Sequence, residues 1–177
     1  MKSEKEIYSH ETLEFTTVAV SFCQLMEQAR EQDMPTFVDR MLKLLPLLYL
    51  KAQLLPAVEA DEDERPEGQV TEADYDYVLT GVHVLLGEEN EYLDVADTTD
   101  LCTEETRWRS LAEQLADVYQ PVRNFLAVYQ DATEEQMAAA LAQLQEDFRD
   151  YWGQQLVDAL RQLHRVQQKM KQEEEGL

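Results

Sequence analysis

Basic residues are scarce in this sequence: 15 Lys and Arg stand against 37 Asp and Glu, a net charge of −22. A field of that sign repels phosphate backbones and anionic headgroups over roughly a Debye length, about 8 Å in physiological salt. No Lys/Arg cluster offsets it, so neither nucleic acid nor a membrane surface is an expected partner. Glycine and proline are also few, 5 of each, and with 44% apolar residues the chain reads as folded rather than disordered or collagen-like. The two cysteines, Cys23 and Cys102, are too far apart for a CxxC zinc or dithiol motif and read as reduced thiols of a cytoplasmic protein. The longest strongly apolar run, Leu44 to Leu50, is far short of the roughly 20 residues that span a bilayer. Lys2, Glu4, Lys5 and Glu6 stand where a secretory signal would be apolar. A Gly-rich phosphate loop, a G-x-S-x-G elbow and a Glu-x-x-His pair are all missing, which removes the simplest routes to nucleotide, acyl-transfer and di-iron chemistry.

What remains is a long helical pattern. The length, 177 residues, suits one domain over 1–177. Ser3 and Glu6 stand at capping-box spacing ahead of Ile7, Phe15, Val18, Ala19, Phe22, Leu25, Met26 and Ala29, which predicts a first helix from Glu4 to Gln32. Asp33 and Pro35 restart the chain as a second helix whose broad stripe, Phe37, Val38, Met41, Leu44, Leu45, Leu48, Tyr49, Ala52 and Leu55, belongs in the centre of the core. Pro46 inside it predicts a kink. Residues 57–70, rich in carboxylates around Pro66 and Gly68, read as an acidic, exposed linker. Thr71 with Asp74 caps a third helix carrying Tyr75, Val78, Leu79, Val82 and Leu86. Glu91 to Leu101 reads as irregular or at most a short helical turn.

Thr103 and Thr106 precede the next periodic stretch, Trp108, Leu111, Leu115, Val118, Tyr119, Val122 and Phe125, which runs through Pro121 and again predicts a kink. Thr133 with Gln136 caps a last helix bearing Met137, Leu141, Leu144, Phe148, Trp152, Leu156, Leu160 and Leu163. Continued to Lys171 it would be about 57 Å long, so it must bend near Gly153 or project. The expected fold is all-α: an antiparallel bundle of about five helices with a long C-terminal helix.

The acidity is concentrated. Between Ala57 and Glu105 there are 17 carboxylates and one base, Arg65, so most of the net charge lies in that stretch. With no reactive constellation in view, the preferred reading is a non-catalytic interaction or adaptor protein whose acidic face docks a basic protein, through Glu62, Asp63, Glu64, Glu89, Asp94 and Asp97. The alternative is a divalent-metal-dependent hydrolase using Glu88, Glu91, Asp94 and Asp97. On a helix, the three-residue spacing of the last three would place them on one side, a geometry that all-α nucleotide pyrophosphohydrolases use to hold magnesium. Bases for a phosphorylated substrate are absent nearby, and no second carboxylate pair at matching spacing precedes the group. A third reading is a small-molecule pocket lined by Trp108 and Trp152, against which stands plain core packing. Arg107, Arg109 and Arg123 are the nearest bases to the acidic stretch, and they are expected to pair with it or with solvent. No cofactor is implied.

One stretch resembles a known family. Tyr92-Leu93-Asp94-Val95-Ala96-Asp97, followed by Ser110-Leu111-Ala112-Glu113-Gln114-Leu115-Ala116-Asp117-Val118-Tyr119, is similar to a bacterial family known only as a domain of unknown function, number five-zero-six-three. In that family an aromatic-acidic segment ending in Phe-Asp-Pro precedes a Ser-Leu-Ala-Asp-Asp-Leu-Ala-Asp-Ile-Tyr helix. Here Ala96-Asp97-Thr98 and Glu113-Gln114 replace parts of that pattern. The resemblance implies an all-helical, cytoplasmic protein and brings no reaction. On the residues themselves, Leu111, Leu115, Val118 and Tyr119 read as core, and Asp94, Asp97 and Asp117 as the polar positions to test.

Overall fold

The computed structural model describes residues 2–60, 65–95 and 106–176. The chain forms helices α1 (Lys2–Ile7), α2 (His10–Glu27), α3 (Met34–Gln53) and α4 (Glu72–Leu86), then strands β1 (Glu91–Val95) and β2 (Thr106–Ser110), then α5 (Leu111–Asp131), α6 (Glu134–Asp147) and α7 (Gly153–Glu175). Among the described residues it is all-α apart from that two-stranded ribbon. Helix α5 packs against α2, α4, α6 and α7, and α3 packs between α2 and α7.

The first expected helix is divided. α1 stops at Ile7, and Ser9 caps α2 by accepting from the Thr12 amide at 3.2 Å. The carbonyls freed by the break are taken up: the Thr12 hydroxyl donates to Glu6 O at 2.8 Å and the Tyr129 hydroxyl to Ile7 O at 2.6 Å. Ile7 stays fully buried across the break. The apolar period therefore runs on, while side-chain hydrogen bonds turn the backbone. The other end of the expected helix closes in a 3₁₀ turn, Ala29–Glu31.

Elsewhere the local signals act as expected. Asp33 caps α3 through the Thr36 amide, and Thr71/Asp74 and Thr133/Gln136 both form reciprocal capping boxes. Helices α3 and α5 continue through Pro46 and Pro121, neither of which is buried. Gly87, with φ of 52°, ends α4 in a conformation that L side chains rarely adopt. In the segment after α3, the described residues Leu55, Val58 and Val70 pack against the core. Gln145 donates to Pro56 O at 2.8 Å, Arg65 pairs with Glu146 at 2.7 Å, and Asn124 Oδ1 accepts from the Gln69 and Val70 amides, each at 2.7 Å.

The long C-terminal helix is 42 residues from α6 to the end of α7. It passes through a π turn at Phe148–Trp152, immediately before Gly153. A Cβ at 153 would lie 2.5 Å from the Phe148 carbonyl oxygen, so the turn requires glycine there.

The largest correction is the ribbon. Glu91–Val95 is a strand, and Thr106–Ser110, expected to open a helix, is its antiparallel partner, with Tyr92 opposite Arg109, Leu93 opposite Trp108 and Asp94 opposite Arg107. α5 starts later, at Leu111, with Ser110 as its cap. Buried Asn90 fixes this junction: its carbonyl accepts from the Leu111 amide at 2.8 Å, its Oδ1 from the Ala112 amide at 2.9 Å, and its Nδ2 donates to Ser110 Oγ at 3.1 Å. One buried asparagine thus satisfies the first amides of α5 and holds the foot of β1 beside them.

Candidate functional site

Strand alternation gives the ribbon two unlike faces. Tyr92, Asp94 and Arg109 point inward, towards α5 and α7. The Arg109 guanidinium lies 3.8 Å from Asp94 and 3.3 Å from Asp158 and donates to Gln155 Oε1 at 2.8 Å. The three charged side chains are only 14%, 11% and 15% exposed in that order. With the buried Gln114 amide turned so that its oxygen faces the guanidinium, it accepts from Arg109 Nη2 at 2.7 Å and its nitrogen donates to the Tyr92 hydroxyl at 2.8 Å. Burial pushes the Tyr92 phenol up.

Two further pairs tie the acidic stretch to α7. Arg161 donates to Asp94 at 2.6 Å, which raises the guanidinium above its ordinary value, and Lys169 pairs with Glu89. Low exposure makes the Arg109 set the energetically important one, since an exposed ion pair contributes about 0–1 kcal/mol.

The outward face is different. Leu93 is 54% and Trp108 67% exposed, and they stand opposite one another in the ribbon. Arg107, paired with Asp94 in the register, belongs to the opposite face and is exposed as well. Trp108, Arg107 and Glu113 border a cavity of about 260 Å³ that reaches Asp117 and Gln155. Asp117 accepts from the Tyr75 hydroxyl at 2.8 Å and from Tyr151 at 2.5 Å, joining α4, α5 and the π turn.

Burial, and then the bond to Asp117, pushes Tyr151 up to about 12 and Tyr75 in the same direction. An unfolded tyrosine ionises near pH ~10. The folded values are higher, so the neutral phenols stabilise the fold fully below pH ~10, and that contribution is lost as pH rises through about 12. Melting followed by circular dichroism should therefore show Tm falling across that window, with a shallower fall in Tyr151→Phe. A Tm insensitive to pH there would contradict the assignment.

The sequence-predicted positions divide accordingly. Glu91 and Asp94, three apart on a strand, face opposite ways, and Asp94 is engaged by two arginines. Glu88 lies exposed in a 3₁₀ turn at Gly87–Glu89. Asp97, Glu62, Asp63, Glu64 and Cys102 lie outside the described residues. Among the described residues, no three His, Cys, Asp or Glu side chains converge as a metal site would require. The helical magnesium geometry is therefore replaced by a strand braced by arginine.

Glu89 and Asp94, expected to face a partner, are turned to α7 instead. Trp152 is fully buried and donates to Leu144 O at 3.1 Å, so it does not share Trp108's cavity. Cys23 is buried, and burial pushes its thiol up, as expected of an inert cysteine. Arg109 does pair with the acidic stretch, whereas Arg123 meets Glu27 at 3.3 Å. Asp158, Arg161 and Lys169 gave no local signal, since they enter only through tertiary contact. Alternation in Tyr92-Leu93-Asp94-Val95 and Thr106-Arg107-Trp108-Arg109 was the available cue for the ribbon.

The fold and this braced ribbon define an all-α protein with a β-hairpin-like appendage. The domain of unknown function family DUF5063 matches residues 6–169, and the chain belongs to it. It is similar to a solved structure, protein BF1032 from Bacteroides fragilis, with 40% sequence identity and a TM-score of 0.81 over 90% of this chain and 94% of that one. No curated protein matches the chain. Among the described residues, no helix is long and apolar enough to cross a membrane.

Proposed function

We propose that the protein is a non-catalytic interaction module of the cytoplasm that docks a basic protein partner on the outer face of the ribbon and the neighbouring acidic surface. The observation that carries this reading is the exposed Leu93–Trp108 pair, a cross-strand apolar anchor left on the surface of a chain of charge −22. Tryptophan is prominent among the residues that dominate interface energetics, and Trp108 stands opposite Leu93 on this face. Glu72 and Asp76 on α4, with Glu88 and Glu91, are exposed and engage no ion pair among the described residues, so they remain able to attract positive charge. In this reading the docking carboxylates are these four rather than Glu89 and Asp94, whose charges are already matched by Lys169, Arg109 and Arg161.

A polyarginine peptide titrated into the full chain tests it. Trp108 is the exposed tryptophan and Trp152 the buried one, so fluorescence reports contact at the ribbon. Binding should weaken about tenfold or more between low and physiological salt. Trp108→Ala, followed by calorimetry because it lacks the reporting indole, should remove about 2 kcal/mol, the scale of an interface anchor. Binding that ignores both salt and Trp108, or no binding at all, refutes the reading.

A further inference from the structure

The Glu27–Arg123 ion pair joins the end of α2 to α5 and borders a cavity of about 460 Å³ that α4 also lines. Gln69 and Val70 complete the wall, because Asn124 Oδ1 holds their amides beside α5. Glu27 Oε1 accepts from the Tyr119 hydroxyl at 2.9 Å and from Arg123 Nε at 3.3 Å. Glu27 Oε2 and the terminal nitrogens of Arg123 have no hydrogen bond among the described residues. Asp74 lines the same cavity. The Thr71 hydroxyl and amide hold its carboxyl below the ordinary range, Arg123 adds to that effect, and both Thr71 bonds go to Oδ2, leaving Oδ1 open. The apolar part of the wall is Val70, Val78 and the Tyr77 ring. Arg30 lies over that ring, 4.5 Å from its centre, where Gly81 leaves it room: a Cβ at 81 would stand 3.3 Å from Arg30 Cγ. The ring is thus held in place on α4.

We propose that this cavity binds a free α-amino acid with a large apolar side chain. Charge selects the class. A simple anion is repelled by the net −22 and by Glu27 and Asp74 at the cavity itself, and a simple cation meets Arg123 there. A zwitterion satisfies both signs at once: its carboxylate takes the terminal nitrogens of Arg123, and its ammonium takes Glu27 Oε2 and Asp74 Oδ1. Spacing narrows the class further. The charges of Glu27 and Arg123 stand side by side, 3.3 Å apart, as do the ammonium and carboxylate on a single α-carbon. A dipeptide carries them at opposite ends of a longer backbone. The volume left between Val70, Tyr77 and Val78 takes the side chain. This inference uses no residue of the ribbon reading, so either can fail alone.

L-Phenylalanine titrated into the full chain and followed by backbone amide shifts tests it. Wild type should bind with a Kd on the order of 0.1–1 mM, with shifts at Val70, Tyr77 and Val78. Hydrocinnamate, which lacks the ammonium, and phenethylamine, which lacks the carboxylate, should each bind about tenfold or more weakly. In Arg123→Met the carboxylate has no partner, so L-phenylalanine should fall to the affinity of phenethylamine. Tyr77→Ala should weaken L-phenylalanine severalfold. Arg123 is 40% and Tyr77 51% exposed, so both variants should melt as folded proteins. No binding by the wild type up to about 10 mM overturns the proposal, as does equal binding of the three compounds. So does wild-type affinity in Arg123→Met. Shifts confined to Thr16 and Val20, which line a cavity of about 520 Å³ that also borders the Glu27–Arg123 pair, overturn it as well.

Discussion

Arg109→Met should lower the unfolding free energy by about 3 kcal/mol, the scale for removing one partner of a poorly hydrated charge pair. Arg109 sits where β2 meets α5 and α7. Without its guanidinium, Asp158 loses its cation, Asp94 keeps only Arg161, and the Gln155 and Gln114 amide oxygens lose their donor. The penalty comes from the groups left unpaired more than from the attraction removed. The loss should therefore shrink when Asp158→Leu is added, because the double variant no longer leaves Asp158 without its cation. Urea unfolding of the wild type, the two single variants and the double closes the cycle, and strict additivity would show that the groups are not coupled. Hydrogen exchange should locate the effect: amides of 91–95 and 106–110 should exchange faster in Arg109→Met, with those of α3 affected less.

Trp152→Ala should have the larger effect, about 3–5 kcal/mol, the range for deleting a buried aromatic side chain. The indole is fully buried, meets Phe148 edge-on at 4.6 Å between ring centres, and donates from Nε1 to Leu144 O at 3.1 Å. It also fills the π turn that Gly153 makes possible, so the cavity would open where α6 continues into α7. Trp108→Ala, on the outer face of the ribbon, should change stability by no more than about 0.5 kcal/mol. Chemical denaturation of both variants separates a core tryptophan from a surface one. Equal losses would mean that Trp108 is covered in solution.

Part of the candidate site was legible in advance and part was not. The concentration of carboxylates between Ala57 and Glu105 was visible in composition, but its cations lie far along the chain: Asp94 meets Arg161, and Glu89 meets Lys169. Separations of that size carry no periodic or motif signal. The ribbon was obscured for a different reason. Leu111, Leu115, Val118 and Tyr119 form a strong helical stripe, and Trp108 extends it by three residues, so period alone drew the helix back across β2. Similarly, Ile7 fits the stripe of α2 although the backbone turns at Ser9.

The sequence by itself determined the helical class, the three caps at Asp33, Thr71 and Thr133, passage of α3 and α5 through their prolines, and placement of most core side chains. Those properties follow from neighbours within a few residues, where spacing and capping chemistry act directly. Only the tertiary structure decided that Glu91–Val95 would be a strand, that Asp94 would face arginines instead of solvent, and that Trp108 would lie outside and Trp152 inside. Each depends on what a distant segment brings to the same place: burial, a hydrogen-bond partner or a countercharge exists only once those segments meet.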